Sequence, residues 1–473
     1  MLTGVAVLTR LPGLVGSRAF NSDEATLAVG GRVLDRGGSL YVDFIDRKPP
    51  LPFAFYAMAH RLTGTSDLRP VRAFLLILLV VAALVVAGEA NRRWGGRSGW
   101  VAGLTLVLAA AALGPQDAPA ANFELFAVLP IVVAVVAAAR GRAVTAGVAL
   151  AVAVLVKQPA AVTVVPVVWS LWRHGRWRTV TIGVATSAAA GVLLSWPFGL
   201  GRVLHWALLG TGGYLSVGVA DLGFAAERAV FLGLLAAGFW CGAWLLVAGA
   251  ARADAVAVAV ASDDRDLWLL LGVSALGVVP GLRFFPHYLL QMVPAVALLA
   301  ARGAVERPAW VRPALALGVA ASLVASALSW HQALTGIPVV ERDLSAYAHR
   351  ATRPGDLIFV WGNEPEIYWR SDRDPAGGFS HTEFLTGYSG GRRPHAASEA
   401  NVPEARLYRD FLARLRNDPP ALVLDTAIAG QRGGRWYPLE RFPSLVALLH
   451  QRYDRAATID HVVVYRRKGL DRR

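Results

Sequence analysis

Cysteine is almost missing from this 473-residue chain: the single one, Cys241, lies inside an apolar run, so no intrachain disulfide can form. Lysine is nearly as scarce. Of 47 basic residues only Lys48, Lys157 and Lys468 are lysine, and two of these stand beside a proline in membrane-proximal stretches. In a chain so biased towards arginine, those two lysines are not filler. The sequence contains no HExxH, no Gly-x-Ser-x-Gly and no Walker loop, which removes zinc peptidase, serine hydrolase and ATPase readings. Internal repeats and low-complexity tails are missing too.

What is abundant is hydrocarbon. The chain is 55% hydrophobic with a mean hydropathy of +0.46, too apolar for a soluble protein of this size, and its apolar runs recur at membrane-spanning length. The formal charge of +14 suggests nucleic acid at first sight. The arginines, however, lie in short clusters between apolar runs, where membrane topology wants them, so no nucleic-acid partner is expected.

Residues 1–19 read as a short first membrane helix, interrupted by Arg10 and Pro12, without the charged start and cleavage site of a signal peptide. A polar loop follows, about 20–52, and 53–63 reads as an amphipathic helix in the interface with His60 and Arg61 on its wet side. Spans are expected at 69–90, 98–114 and 125–139. The stretch 143–172 is long enough for two short helices meeting at Lys157-Gln158-Pro159. Further spans at 179–198, 228–251, 267–281, 286–301 and 313–334 give roughly eleven crossings of the ~20-residue bilayer length. Arg92, Arg93 and Arg97, then Arg140 and Arg142, then Arg173, Arg176 and Arg178, then Arg302, Arg307 and Arg312 belong on the cytoplasmic side. Arg69, Arg72 and the Arg47-Lys48 pair run against that rule and are outweighed. The N-terminus is then cytoplasmic and the C-terminus outside.

From about Gly336 the composition changes. Strands at 356–361, 421–426 and 461–466, with helices at 341–351, 404–416 and 440–450, predict a small extracytoplasmic α/β domain, 336–473, with a largely parallel sheet. The membrane part is then 1–335.

The polar loop 20–52 holds the residues best suited to chemistry. It opens on Asp23 and Glu24 and closes on Asp43, Asp46 and Arg47-Lys48-Pro49-Pro50. A carboxylate at a low-dielectric boundary can be tuned upward to act as a general base, which suits Asp23; the competing reading is a pair of solvated helix-start acids. Two prolines lock a rigid turn after Lys48, placing an ammonium to hold phosphate rather than only to snorkel to headgroups. Lys157, within LAVAVLVKQPAAVTVV, costs ~2.5–3.5 kcal/mol to insert as a charge and defaults to function. Glu124, which ends PQDAPAANFE, is equally a site carboxylate or an ordinary helix-start acid. His287 and Tyr288, in RFFPHYLLQ beside Arg283, read as an interfacial anchor or as metal or phosphate ligands.

Taken together, the short first span, the Asp-Glu pair, Arg47-Lys48-Pro49-Pro50-Leu51, the Asn-x-Glu loop, the Lys-x-Pro break and His287-Tyr288-Leu289-Leu290-Gln291 resemble the GT-C glycosyltransferases. The nearest branch is families 39 and 83, with the lipid A aminoarabinose transferase and the protein O-mannosyltransferases. The resemblance covers about residues 1–335, and more weakly the tail. It implies a polytopic α-helical enzyme of the bacterial plasma membrane that moves a sugar, with inversion, from a polyprenyl-phosphate donor to a lipid, glycan or protein acceptor. It makes Asp23, with Glu24, the base, and Lys48, Lys157 and Arg283 the ligands of the donor phosphate. Asp43, Asp46, Glu124, His287 and Tyr288 then contact substrate. In the aminoarabinose branch an acid before the Lys-Pro-Pro lysine helps to bind metal. Here that position is Arg47, so no metal site is expected, no cofactor is required, and any divalent-metal dependence is weak. Two rival readings differ in class. A transporter or flippase of lipid-linked glycans needs paired broken helices in two related halves, and only one break, at Lys157–Pro159, is evident. A membrane-anchored glycan-binding protein would use Trp361, Glu364, Glu366, Tyr368 and Trp369, although aromatics so spaced more often pack.

Overall fold

A computed structural model describes residues 1–16, 21–64, 67–112, 117, 120–209, 218–256, 264–335, 339–390 and 392–470. Phe20 and Pro115, of the two polar loops, and Gly336, at the expected domain boundary, lie outside them.

The expected loop 20–52 is the first correction, because its first half is helix. After α1 (Leu2–Val15), α2 spans Ser22–Asp35 and α3 spans Pro50–Thr63. The Asn21 side chain accepts from the Glu24 N–H at 2.8 Å, and Asp23 and Glu24 in the first turn complement the helix dipole. Its apolar stretch from Ala25 to Val33 is buried on every side. A helix buried all round shows no amphipathic stripe, which is why its pattern reads as loop. Gly30 and Gly31 let α3 approach. A methyl on Gly30 would meet the Phe53 ring at 2.5 Å, and one on Gly31 would meet the Ala57 nitrogen at 3.0 Å. Pro50 opens α3 at its first turn. His60 is not on a wet face: it is buried, with its ring 5.0 Å from that of Trp369, whereas Arg61 is exposed.

Among the described residues, five helices are long and apolar enough to cross a membrane: Arg69–Trp94 (α4), the run Gln158–Phe198, Leu222–Phe239, Pro286–Glu306 and Pro308–Thr335. The other apolar helices are 10–17 residues, among them α5 (Ser98–Ala111), α6 (Phe123–Ala139) and α7 (Ala143–Val156). The chain is thus a multi-pass membrane protein. The break expected at Lys157 is present: α7 ends there, Lys157 is extended, and a 3-10 turn over Gln158–Thr163 leads into α8 (Val164–Ser195). A second reversal within α8 falls at Gly175 and Arg176, whose backbone is non-helical. The span expected at 228–251 is two helices that meet at Trp240, whose indole donates to the Ala109 carbonyl at 3.1 Å.

Charge collects at the two ends of the bundle. At one end, buried Glu89 binds Arg93 at 2.8 Å and Arg140 at 2.9 Å, Arg93 also binds Asp266 at 2.6 Å, and Arg302 binds Asp264 at 3.2 Å. Arg72 lies at the opposite end of α4, roughly 30 Å from Arg93 by helix rise. Three of the arginine clusters assigned to one side by sequence therefore meet in one network.

Beyond residue 339 the chain forms a mixed four-stranded sheet of order β1-β2-β4-β3: β1 Ile358–Trp361, β2 Leu422–Asp425, β3 Tyr453–Ile459 and β4 Val462–Arg467. Only β1 and β2 run parallel, and the other two pairings are antiparallel, which corrects the largely parallel expectation. The cause is β3, an edge strand with mostly exposed side chains and no apolar run to announce it. It closes a hairpin with positive φ at both Asp460 and His461, as a tight two-residue turn requires. The helices Val339–Ala351, Ala405–Asn417 and Pro443–Arg452 match the expected ones to within a few residues. Trp361, Glu364, Glu366, Tyr368 and Trp369 are buried, so they form no glycan-binding face.

Because α3 packs so closely on the Gly30-Gly31 step, Gly31→Ala is expected to cost about 1–3 kcal/mol. Thermal unfolding in detergent checks this, and a midpoint equal to the parent's contradicts it.

Candidate active site

Five chain segments bring the charged residues together. Lys48 Nζ lies 3.2 Å from Asp23 Oδ1 and 3.6 Å from Asp46 Oδ1. Local structure fixes that lysine: its amide donates to Asp46 Oδ1 at 2.8 Å, and its carbonyl accepts from the Tyr41 hydroxyl at 2.8 Å. The His287 ring bridges the other side. Its Nδ1 is 3.0 Å from Asp117 Oδ1, and its Nε2 is 3.6 Å from Glu124 Oε1 and 3.9 Å from Asp23 Oδ2. Glu124 Oε1 in turn accepts from Lys157 Nζ at 3.0 Å, which explains how a lysine persists inside an apolar run. The Tyr288 ring faces that ammonium at 4.5 Å, and Phe123 lies under both lysines, 5.8 Å from Lys48 Nζ and 5.3 Å from Lys157 Nζ.

Burial alone would raise the Asp23 carboxyl, as the sequence reading expects. Lys48 and then His287 outweigh it and hold the group below the usual carboxylate range. Asp46 is also held below that range, with Lys48 and a hydrogen bond from His381 overcoming its burial. The Lys48 ammonium is correspondingly raised against burial by Asp46 and Asp23. Asp23 keeps 36% of its side chain exposed, so an incoming hydroxyl can reach it. Glu124 Oε2 is buried with no hydrogen-bond partner among the described residues.

Not every expected residue joins this group. Glu24 points to another side of α2, where Arg72 grips both its oxygens at 2.8 and 2.6 Å and the Ala121 N–H donates to it at 2.9 Å. That fully satisfied, buried carboxylate is a structural anchor. Asp43 is exposed and closes a turn by accepting from the Ser39 N–H at 2.7 Å. Arg283 stands one ion pair away: Glu383 binds it at 3.2 Å and Arg47 at 2.8 Å. Arg283 also donates to Ser389 Oγ and the Gly390 carbonyl. Arg47 and then Arg283 hold the Glu383 carboxyl well below its ordinary range despite its burial. The Arg47 guanidinium also lies over the Phe384 ring, 4.6 Å from its centroid.

Sequence reasoning passed over Asp117, Phe123, Gln158, His381 and Glu383. Gln158 donates to the carbonyls of Arg47 and Ala207 at 2.7 and 2.9 Å, tying the helix break to the Lys48 turn. Asp117 and Phe123 fall in the PQDAPAANFE loop, already marked by its polarity. His381 and Glu383 carry no sequence signal.

In fold, the chain is similar to solved structures of ArnT and of an archaeal oligosaccharyltransferase. ArnT from Cupriavidus metallidurans bound to undecaprenyl phosphate superposes with a TM-score of 0.61 at 14% identity, over 99% of this chain and 98% of that one. Its apo state gives 0.63 at 14% identity, over 98% and 96%. The Archaeoglobus fulgidus oligosaccharyltransferase in complex with Zn and sulfate gives 0.57 at 12% identity, over 98% of this chain and 72% of that one. No protein-family model matches the sequence, and a search of curated proteins finds no match.

The buried Glu24–Arg72 pair yields a prediction. Arg72→Met strands a buried carboxylate and should cost about 3–5 kcal/mol, and adding Glu24→Gln should restore most of it. Thermal unfolding of the two variants is the check, and an Arg72→Met protein as stable as the parent contradicts the structural role.

Proposed function

We propose that this chain transfers a sugar, with inversion, from a polyprenyl-phosphate carrier to an acceptor hydroxyl at the outer face of a bacterial plasma membrane. In this reading the N-terminus is cytoplasmic and residues 336–473 form an extracytoplasmic domain. The observation that carries it is the 3.2 Å pair between Lys48 Nζ and Asp23 Oδ1. It joins a phosphate ligand to a base in one site, on a fold shared with a protein crystallised with undecaprenyl phosphate.

Asp23 takes the proton from the acceptor hydroxyl as its oxygen attacks the anomeric carbon. The bond from that carbon to the carrier phosphate breaks on the opposite face, and the phosphate leaves with the electron pair. A phosphate leaving group needs charge stabilisation more than a general acid, which Lys48 supplies directly, with Lys157 behind Glu124 and Arg283 behind the Glu383–Arg47 pair adding positive charge further out. The unpartnered Glu124 Oε2 and the Tyr288 ring suit the hydroxyls and the face of a sugar. While Lys48 holds Asp23, the carboxylate is a weak base. An arriving phosphate competes for the ammonium and makes Asp23 more basic once donor is bound. The cations in this proposal are side chains, so dependence on a divalent metal is expected to be weak.

The test is to incubate purified protein with a panel of undecaprenyl-phosphate sugars and measure release of free undecaprenyl phosphate. Asp23→Asn should lower kcat by about 10²–10⁴-fold without weakening undecaprenyl phosphate binding. Lys48→Ala should weaken that binding. Near-parental turnover in the first variant, or parental affinity in the second, overturns the assignment.

A further inference from the structure

Next to Asp23 stands a cluster that the proposed chemistry does not use. Arg432 Nη1 donates to Ser22 Oγ, to the Asn363 carbonyl at 2.8 Å and to Glu366 Oε2 at 3.0 Å. Its Nη2 donates to Glu366 Oε1 at 2.7 Å and to Glu341 Oε1 at 3.1 Å. The Ser22 hydroxyl completes the ring by donating to Glu366 Oε1 at 3.3 Å. Residues more than 300 positions away along the chain therefore hold the residue adjoining the proposed base.

Two features show that this grip is built at a cost. The Arg432 backbone is left-handed, φ 41° and ψ 40°, a conformation unfavourable for a residue with a Cβ. Gly430 and Gly433 on either side are also at positive φ, and a methyl on Gly433 would run into the Tyr388 ring, so the loop is packed in place. Moreover, Glu366 is fully buried and Glu341 nearly so, with the one Arg432 guanidinium between them.

The same short helix, Pro365–Ser371, and the residues that follow it also hold the far part of α2. Arg32 donates to the carbonyls of Tyr368, Trp369 and Arg373 at 3.1, 3.2 and 2.7 Å, and to Asp374 Oδ1 at 2.9 Å. Ser22 and Arg32 lie ten positions apart, about 15 Å along the helix. Two anchors that far apart on one rigid element fix both its rotation and its slide.

We infer that Glu366 and Arg432 are positioning residues for Asp23: through Ser22 they set the start of α2 so that the carboxylate meets both Lys48 and the acceptor proton. The inference rests on the proposed glycosyl transfer and assigns the region beyond residue 336 a part in it. Small misplacements of a reacting group cost up to about 10²-fold in rate.

Ser22→Ala removes the link while leaving the Arg432–Glu366 pair intact, and Arg432→Lys replaces a five-contact fork with a point charge. Each should lower kcat by about 10-fold or more with unchanged affinity for undecaprenyl phosphate. Neither should lower turnover further in an Asp23→Asn background, because the group they aim is gone. Arg36→Ala, which removes exposed pairs to Asp372 and Asp374 further along α2, should leave kcat at the parental value. Parental kcat in Ser22→Ala and Arg432→Lys overturns the inference, as does an equal loss with and without Asp23. If the parent releases no undecaprenyl phosphate from any sugar in the panel, the glycosyl-transfer reading fails and the inference falls with it.

Discussion

An ammonium shared by two carboxylates is the contact on which the rest of the site depends. Lys48 binds Asp23 and Asp46 together, and each of those acids faces a further group, His287 in one case and His381 in the other. Lys48, Asp46 and His287 are largely buried, and each meets an opposite charge. The outcome is a chain of pairs running from Lys157 through Glu124, His287, Asp23 and Lys48 to Asp46. A phosphate entering this chain finds no idle cation. It has to compete for one, and whatever carboxylate it displaces becomes more basic. In the proposed reaction, donor binding and base strength are then linked by a single ion pair.

The scaffold supports this arrangement from two directions. Within the membrane part, the Gly30-Gly31 step seats α3 on α2, which aligns the Lys48 turn with the start of α2. From the C-terminal part, Arg432 and Glu366 hold Ser22, while Glu383 holds Arg47 and Arg283. The far end of the bundle carries its own network around Glu89, roughly 30 Å away, where it ties helices together without touching the site.

Much of the site could be read from the residues. Lys48 and Lys157 stood out because lysine is so rare, and polarity marked Asp23, Asp46, Glu124 and His287 as exceptions in a hydrocarbon chain. What stayed hidden has physical causes. Helix α2 is buried on all sides, so periodicity could not separate it from loop. Glu24 and Asp23 are neighbours in sequence, yet successive helical residues point about 100° apart, and only the structure shows which one meets Arg72. Strand β3 is an exposed edge without an apolar run, so the mixed sheet looked parallel. Arg432, Glu366 and Glu383 act across more than 300 positions of chain, a relation that no local pattern carries.

The linkage through Lys48 can be measured by titrating undecaprenyl phosphate onto the parent, Asp23→Asn, Lys48→Ala and the double variant. If the ammonium is shared, removing the Asp23 charge frees it, so Asp23→Asn should bind the phosphate several-fold tighter than the parent, an effect of about 1 kcal/mol for a partly exposed pair. That gain should vanish in the Lys48→Ala background. Weaker binding by Asp23→Asn, or a gain that persists without Lys48, would contradict the account.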